Sequence, residues 1–148
     1  MYTTDMTPEN VLDGFFREVD CSQAVFSEFA PQFGIDKETA LKIAAIFGCG
    51  MWEGETCGAV VGALMSLGLK YGQGYDADRG KKNLMLEKAG KFKEMFSEKY
   101  GSCLCREMLG YKLPEEMDQI KAENKFETVC SHAVVDACRI CADILNEE

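Results

Sequence analysis

Apolar residues recur every three or four positions in each long segment of the chain, and no segment alternates between apolar and polar residues as a half-buried strand would. The pattern predicts helices that start after the caps Thr7, Asp20, Asp36, Thr56 and Asp78. It also predicts a short helix that starts near Cys105 and runs through Leu109 to Gly110, another at Glu115–Lys121, and a last helix from about Phe126 to Leu145. We therefore predict an all-α protein, a compact bundle of six to eight helices that forms a single domain over residues 1–148.

Each predicted helix has an apolar face that we expect to point into the core. These faces comprise Leu12, Phe15, Phe16 and Val19; Val25, Phe26 and Phe29; Ala40, Ile43, Ala44 and Phe47; Met85, Ala89, Phe92, Phe96 and Tyr100; and Phe126, Cys130, Ala133, Ala137, Cys141 and Ile144. The short helix near Glu115 is expected to have Pro114 as its first residue, because proline is favoured there.

The helix expected at the centre follows Thr56 and runs through the uncharged stretch Gly58–Leu69. With Thr56 as its N-cap, Cys57 would lie in its first turn, where free backbone N–H groups and the helix dipole favour a thiolate. Glycine costs about 1 kcal/mol in a helix relative to alanine. Because Gly58 and Gly62 lie on one face, we predict that this face packs closely against another helix.

A glycine-rich loop precedes that helix. Its glycines at positions 48, 50 and 54 are expected to allow backbone angles that other residues avoid. Trp52 either packs as a lid over a small core or shields a reactive centre from water. We take Gly48, Gly50, Trp52 and Gly58 as candidate cofactor-binding residues.

Composition narrows the function classes. The net charge of −9 argues against nucleic acid and against an anionic membrane surface as partners. No signal peptide is visible near Met1, and the longest uncharged apolar run is too short to span a bilayer, so we expect a cytoplasmic protein. Eight cysteines are then unusual, and in such a protein they indicate thiol redox chemistry, metal ligation or core packing.

Four cysteines and their neighbours carry a family resemblance. Cys21, the CGAxxG motif Cys57–Gly62, Cys105 and Cys130 occur in the order found in the C_GCAxxG_C_C family, and the flanking stretches Cys21–Ala24, Gly68–Gly72 and Cys105–Gly110 match as well. Over about residues 10 to 145 the chain resembles these small bacterial and archaeal proteins, which are described as redox-active. The resemblance implies a redox role for the four cysteines but no particular reaction.

The residues leave three functions open. Cys57, Cys21, Cys105 and Cys130 could form a disulfide relay with Cys57 as nucleophile, or the same four could ligate zinc or an iron–sulfur cluster for electron transfer. The third reading is a zinc-stabilised or metal-free scaffold that binds a partner. We expect the four to converge on one site, served by a redox partner protein whose identity the sequence does not give. A homodimer is compatible with the sequence.

The other cysteines and the single histidine are given smaller roles. Cys138 and Cys141 form a C-x-x-C pair within the last helix, where Cys141 is expected to be a core residue. Cys49 and Cys103 lie outside the four-cysteine pattern, and Cys49 is either an additional active thiol or a neutral replacement. His132 is expected on the surface. The sequence shows no Ser-His-Asp set, Walker loop or dinucleotide fingerprint.

Overall fold

The computed structural model describes residues 1–147 and contains eight α-helices in that range. They are α1 (Pro8–Phe16), α2 (Cys21–Phe29), α3 (Lys37–Ala44), α4 (Gly58–Tyr71), α5 (Arg79–Tyr100), α6 (Cys105–Leu109), α7 (Met117–Ala122) and α8 (Ser131–Leu145). Short 3₁₀ turns cover Ala30–Phe33 and Ala45–Phe47, and π-type segments cover Gly50–Gly54 and Phe126–Cys130. Residues 1–147 contain no strand, only one isolated bridge between Thr56 and Leu104. The predicted all-α class is confirmed.

Polar caps start most of the long helices where the sequence predicts them. Thr7, Asp36 and Asp78 each accept a hydrogen bond from the backbone N–H three residues ahead. Asp20 forms a reciprocal capping box with Gln23 at the start of α2. At the other end of α5, Gly101 takes the left-handed conformation that terminates many helices.

Helix α4 lies at the centre of the core. Its buried residues belong to one hydrophobic cluster with buried side chains of α1, α2, α5 and α8, including Val11, Val25, Phe29, Val60, Ala63, Leu67, Phe92, Phe96, Val134, Ala137 and Ile144. Most of α4 is therefore enclosed on several sides, which explains why its sequence is apolar all round.

The glycine face of α4 packs against α2, as predicted. A Cβ added at Gly62 would lie 2.8 Å from the carbonyl oxygen of Ser22, and one added at Gly58 would lie 3.0 Å from the carbonyl oxygen of Phe47 and overlap the sulfur of Cys21. The two glycines thus allow a close approach that alanine would prevent, and this offsets their cost in helix propensity.

Two predicted apolar faces are only partly buried. Of the face predicted for α1, Phe15 and Val19 pack against the core, while Phe16 is 89% exposed and Leu12 is exposed as well. In α3, Ala40 and Ala44 are buried as predicted, whereas Ile43 is exposed. Helical periodicity identifies an apolar face but does not say whether a core or another feature lies opposite it.

The helix predicted at Glu115–Lys121 begins later than expected, at Met117. Lys112 and Glu116 exchange hydrogen bonds, with the Lys112 N–H donating to the Glu116 carboxylate at 2.8 Å and the Glu116 N–H donating to the Lys112 carbonyl at 2.8 Å. This turn holds Pro114 outside the helix. Within residues 1–147, none of the helices is both long enough and apolar enough to cross a bilayer.

Candidate functional site

A cavity of about 660 Å³ opens beside the start of α4, and five cysteines line it. They are Cys21, Cys49, Cys57, Cys105 and Cys130, and all five are free thiols. The four cysteines of the predicted site are therefore in the wall of one cavity. Cys49, to which the sequence assigns no definite role, is in the same wall.

Helix starts position three of these thiols. Cys21 is the first residue of α2 and Cys105 is the first residue of α6. Cys57 is the N-cap of α4 and not part of its first turn. The prediction of Thr56 as the cap is wrong by one residue, because Thr56 is held in the bridge to Leu104.

That bridge also fixes Cys57 near Cys105. The Cys57 N–H donates to the carbonyl of Cys103 at 2.7 Å, and the Cys105 N–H donates to the carbonyl of Glu55 at 2.7 Å. Two backbone hydrogen bonds therefore pair segments that are far apart in the chain. The pairing brings the second and third motif cysteines to the same cavity.

The Cys21 sulfur lies against the start of α4, next to Cys57. Burial raises the pKa of both thiols, and the amide of Ala59 is among the smaller effects that lower it. Gly58 lies between Cys57 and Ala59 and has no side chain to separate α4 from the Cys21 sulfur. These two sulfurs are therefore brought together at the N-terminus of α4.

Cys130 reaches the cavity through a π-type segment. Phe126–Cys130 has the wider π hydrogen-bonding pattern and continues directly into α8. Both Phe126 and Cys130 line the cavity. Such an interruption of a helix is frequent at functional sites, where it changes the direction of neighbouring side chains.

Burial dominates the protonation of these thiols. It raises the pKa of Cys57 well above its ordinary value, and the neighbouring Cys21 adds to the rise, whereas the amides of Val60 and Ala59 lower it by less. Burial likewise raises the pKa of Cys105 to about 12. The helix start, from which the sequence predicts a favoured thiolate at Cys57, is therefore outweighed by the loss of hydration.

The loop before α4 has an unusual backbone. Cys49, Met51 and Trp52 all have positive φ angles of 49° to 62°, although they are not glycines. Gly50 and Gly54 are also left-handed, and a Cβ at Gly50 would overlap the backbone of Glu55. Such conformations are costly and are concentrated at functional sites.

The four candidate cofactor-binding residues fall into two groups. Trp52 and Gly58 line the cavity, and Trp52 is 43% exposed at its mouth. Gly48 and Gly50 lie outside the cavity wall. Gly48 also lacks the special backbone angle expected of it, since it is extended; its role is close packing, because a Cβ there would lie 2.9 Å from the Asp20 side chain.

The rest of the wall is mostly apolar. It includes Leu12, Phe15, Phe16, Met108, Leu109, Met117, Phe126 and Ala133. The charged residues in it are Glu18, Asp20, Glu127 and Lys121. The part of the apolar face of α1 that is not in the core thus lines the cavity. The sequence signal for this is the presence of two phenylalanines on that face, close in the chain to a motif cysteine.

The remaining cysteines are outside the cavity wall. Cys138 and Cys141 are fully buried in the core, as predicted for Cys141, and the Cys141 thiol donates to the carbonyl of Ala63 at 3.8 Å. Cys103 is half-buried, and its thiol donates to the carbonyl of Lys93 at 3.7 Å. His132 is exposed, which confirms its predicted surface position.

The thiols line the wall of one cavity. Among residues 1–147, no three His, Cys, Asp or Glu side chains are arranged to hold a single metal ion. Zinc requires sulfurs at about 2.3 Å from the metal. The arrangement of Cys21, Cys57, Cys105 and Cys130 therefore does not fit a single zinc ion, whereas the cavity volume of about 660 Å³ exceeds what one ion fills.

The sequence model of a known family, described as "Putative redox-active protein (C_GCAxxG_C_C)", matches residues 19–144. The chain belongs to the C_GCAxxG_C_C family. The match spans all four motif cysteines, and also Cys49, Cys103 and the C-x-x-C pair of α8. No curated protein and no solved structure matches this member of the C_GCAxxG_C_C family.

Proposed function

We propose that the protein is a thiol–disulfide electron carrier in which Cys57 and Cys21 form the reacting pair. The observation that supports this most is their position at the start of α4, where Gly58, the residue after Cys57, leaves space for the Cys21 sulfur and both thiols line the same cavity. A disulfide needs Cα atoms within about 7 Å and side chains that point toward each other. The contact of the Cys21 sulfur with α4 beside Cys57 supports such an approach.

The proposed reaction exchanges two electrons and two protons. The Cys57 sulfur attacks one sulfur of an oxidised disulfide partner and releases the other as a thiol. The Cys21 sulfur then attacks Cys57, which forms the Cys21–Cys57 bond and releases the partner's second thiol. The partner is reduced, the protein is oxidised, and the two protons end on the released thiols.

The apolar surroundings favour neutral forms at both ends of this reaction. Burial raises the pKa of Cys21 and of Cys57, so both are protonated at neutral pH when reduced. A disulfide carries no charge either. Oxidation therefore removes no buried charge and adds none. Cys49, Cys105 and Cys130 place three further thiols in the same wall, where exchange could move the disulfide.

A second candidate is an iron–sulfur centre held by Cys21, Cys57, Cys105 and Cys130. It is favoured by one observation, a cavity of about 660 Å³ that is lined by these four thiols. When bound, such a cluster would supply one-electron transfer. The protein's part would be to supply thiolates and to exclude water with Trp52 and the apolar wall.

A redox titration separates these candidates. Metal-free protein is equilibrated without oxygen in dithiothreitol buffers of increasing potential, and its free thiols are counted by alkylation and mass spectrometry. We expect two thiols per chain to be lost in the first transition, and this transition to be absent in Cys21→Ser and Cys57→Ser but retained in Cys138→Ser. A Cys57→Ser variant that keeps the transition would contradict the assignment.

The second part of the test measures iron and acid-labile sulfide in protein that is purified without oxygen. Iron and acid-labile sulfide bound to the wild type and lost in Cys21→Ser would favour the cluster. Wild-type protein without iron and sulfide, combined with the two-thiol transition, would favour the disulfide carrier.

A further inference from the structure

The cavity is larger than a disulfide requires. Closing a bond between Cys21 and Cys57 uses only the space between two sulfurs, whereas the cavity has about 660 Å³. Ligand and cofactor pockets generally measure about 300–1,000 Å³. The volume therefore suits an organic molecule bound next to the thiols.

Aromatic side chains form much of the wall away from the sulfurs. Phe15, Phe16, Trp52 and Phe126 all line the cavity. Phe16 is 89% exposed and Trp52 is 43% exposed, so these two rings are at the mouth. Exposed aromatic residues around a concave apolar site offer flat surfaces on which an aromatic ring can stack.

The charges of the wall disfavour an anionic ligand. Its charged side chains are Glu18, Asp20 and Glu127 against a single cation, Lys121, within the part of the chain that the structure describes. The whole chain carries a net charge of −9. Nucleotide cofactors and glutathione disulfide are anions, and the acidic side chains of the wall would repel them. A neutral ligand does not meet this repulsion.

We propose that the cavity binds a neutral quinone and that this quinone oxidises the Cys21–Cys57 pair. The proposal rests on the disulfide function above and names its small-molecule oxidant. The Cys57 sulfur bonds to the quinone ring, and the Cys21 sulfur then attacks Cys57 and breaks the carbon–sulfur bond. The products are one disulfide and one hydroquinone, whose two oxygens carry the two thiol protons, so atoms and electrons balance.

Trp52 is the only tryptophan of the chain, and it lines the cavity, so its fluorescence reports binding. The probe is 2,3-dimethyl-1,4-naphthoquinone, whose quinone ring has no free position for irreversible thiol addition. We expect saturable quenching, with an affinity at least tenfold higher than that for the anionic anthraquinone-2-sulfonate. Non-saturable quenching, or equal affinity for the anion, would overturn the proposal.

A matched pair of surface variants tests the position of the ligand. Phe16→Ser removes an exposed ring from the mouth, whereas Tyr75→Ser removes a fully exposed ring that is not part of the wall. We expect Phe16→Ser to weaken quinone binding about tenfold, in line with the loss of one aromatic contact. Tyr75→Ser should leave the affinity unchanged. Equal effects of the two changes would overturn the assignment of the cavity.

The reaction is tested by mixing reduced protein with the same quinone without oxygen. We expect one hydroquinone for every two thiols lost, and none with Cys21→Ser. If the dithiothreitol titration gives the Cys21–Cys57 disulfide but the quinone yields no hydroquinone, the quinone proposal fails and the disulfide function stands. If neither oxidant gives the disulfide, both fail.

Discussion

Cys57 and Cys141 both border helix α4 and are both buried, yet their surroundings differ. Cys57 caps α4 and lines a cavity, whereas Cys141 extends from α8 into the core and donates to the Ala63 carbonyl of α4. Burial raises the pKa of both thiols. Burial and pKa direction therefore do not separate a cysteine of the cavity wall from a cysteine of the core in this chain. Contact with the cavity does.

The largest expected difference between the two regions is their native-state reactivity. Cys49 and Cys130 are half-buried in the cavity wall, whereas Cys138 and Cys141 are fully buried in the core. A core thiol is exposed only by opening that costs several kcal/mol, and each 1.4 kcal/mol is a factor of ten. We expect iodoacetamide to label the two cavity thiols at least about a hundredfold faster.

Peptide mass spectrometry of samples quenched at successive times measures these rates, with protein in denaturant as the reference for intrinsic reactivity. Equal native-state rates at Cys130 and Cys141 would remove the basis of the comparison.

Alkaline pH should destabilise the reduced protein more than the oxidised protein. The pKa of Cys105 is raised from 9.0 to about 12, so its contribution to stability is complete below pH 9 and is lost between pH 9 and about pH 12. In such a window each thiol lowers the unfolding free energy by about 1.4 kcal/mol per pH unit. The disulfide removes Cys21 and Cys57 from titration, so the reduced protein should lose up to about 2.7 kcal/mol more per pH unit.

Denaturant unfolding of both redox forms between pH 9 and pH 11 checks this expectation. Cys138→Ala serves as the control, because it removes one core thiol from both forms and should leave the difference between them unchanged. Identical slopes for reduced and oxidised protein would mean that the disulfide does not involve thiols with raised pKa values.

Gly58 and Gly68 give a smaller but direct contrast within α4. A Cβ at Gly58 would overlap the Cys21 sulfur, whereas a Cβ at Gly68 meets no atom within 4 Å. We expect Gly58→Ala to destabilise the fold by about 1–3 kcal/mol and Gly68→Ala to stabilise it by about 1 kcal/mol. Urea denaturation measures both. A neutral Gly58→Ala change would show that Cys21 is not held against α4.

Local signals made much of the helical fold predictable. The caps Asp20 and Asp78 bond to residues three positions ahead in the chain, so the sequence predicts them directly. The glycines of α4 allow close packing, which their spacing on one face of the helix also predicts. The same holds for the cysteines that start α2 and α6. The predictions that failed concern residues whose surroundings are set by a distant part of the chain.

Three cases illustrate this limit. Phe16 has the spacing of a core residue but faces a cavity, which only tertiary structure creates. Thr56 has the chemistry of a cap but is held by a bridge to a distant segment. Cys57 lies at a helix start, which favours a thiolate, but burial raises its pKa, and burial cannot be predicted from the local sequence.

The most direct test of the central claim is to map the disulfide that forms first. Reduced protein is titrated with oxidised dithiothreitol, and all eight cysteines are resolved by labelling free thiols with a light reagent and reduced disulfides with a heavy one. The account predicts that Cys21 and Cys57 acquire the heavy label together while Cys138 and Cys141 keep the light one. Heavy label on Cys138 or Cys141 in the first transition, with Cys57 still a thiol, would contradict it.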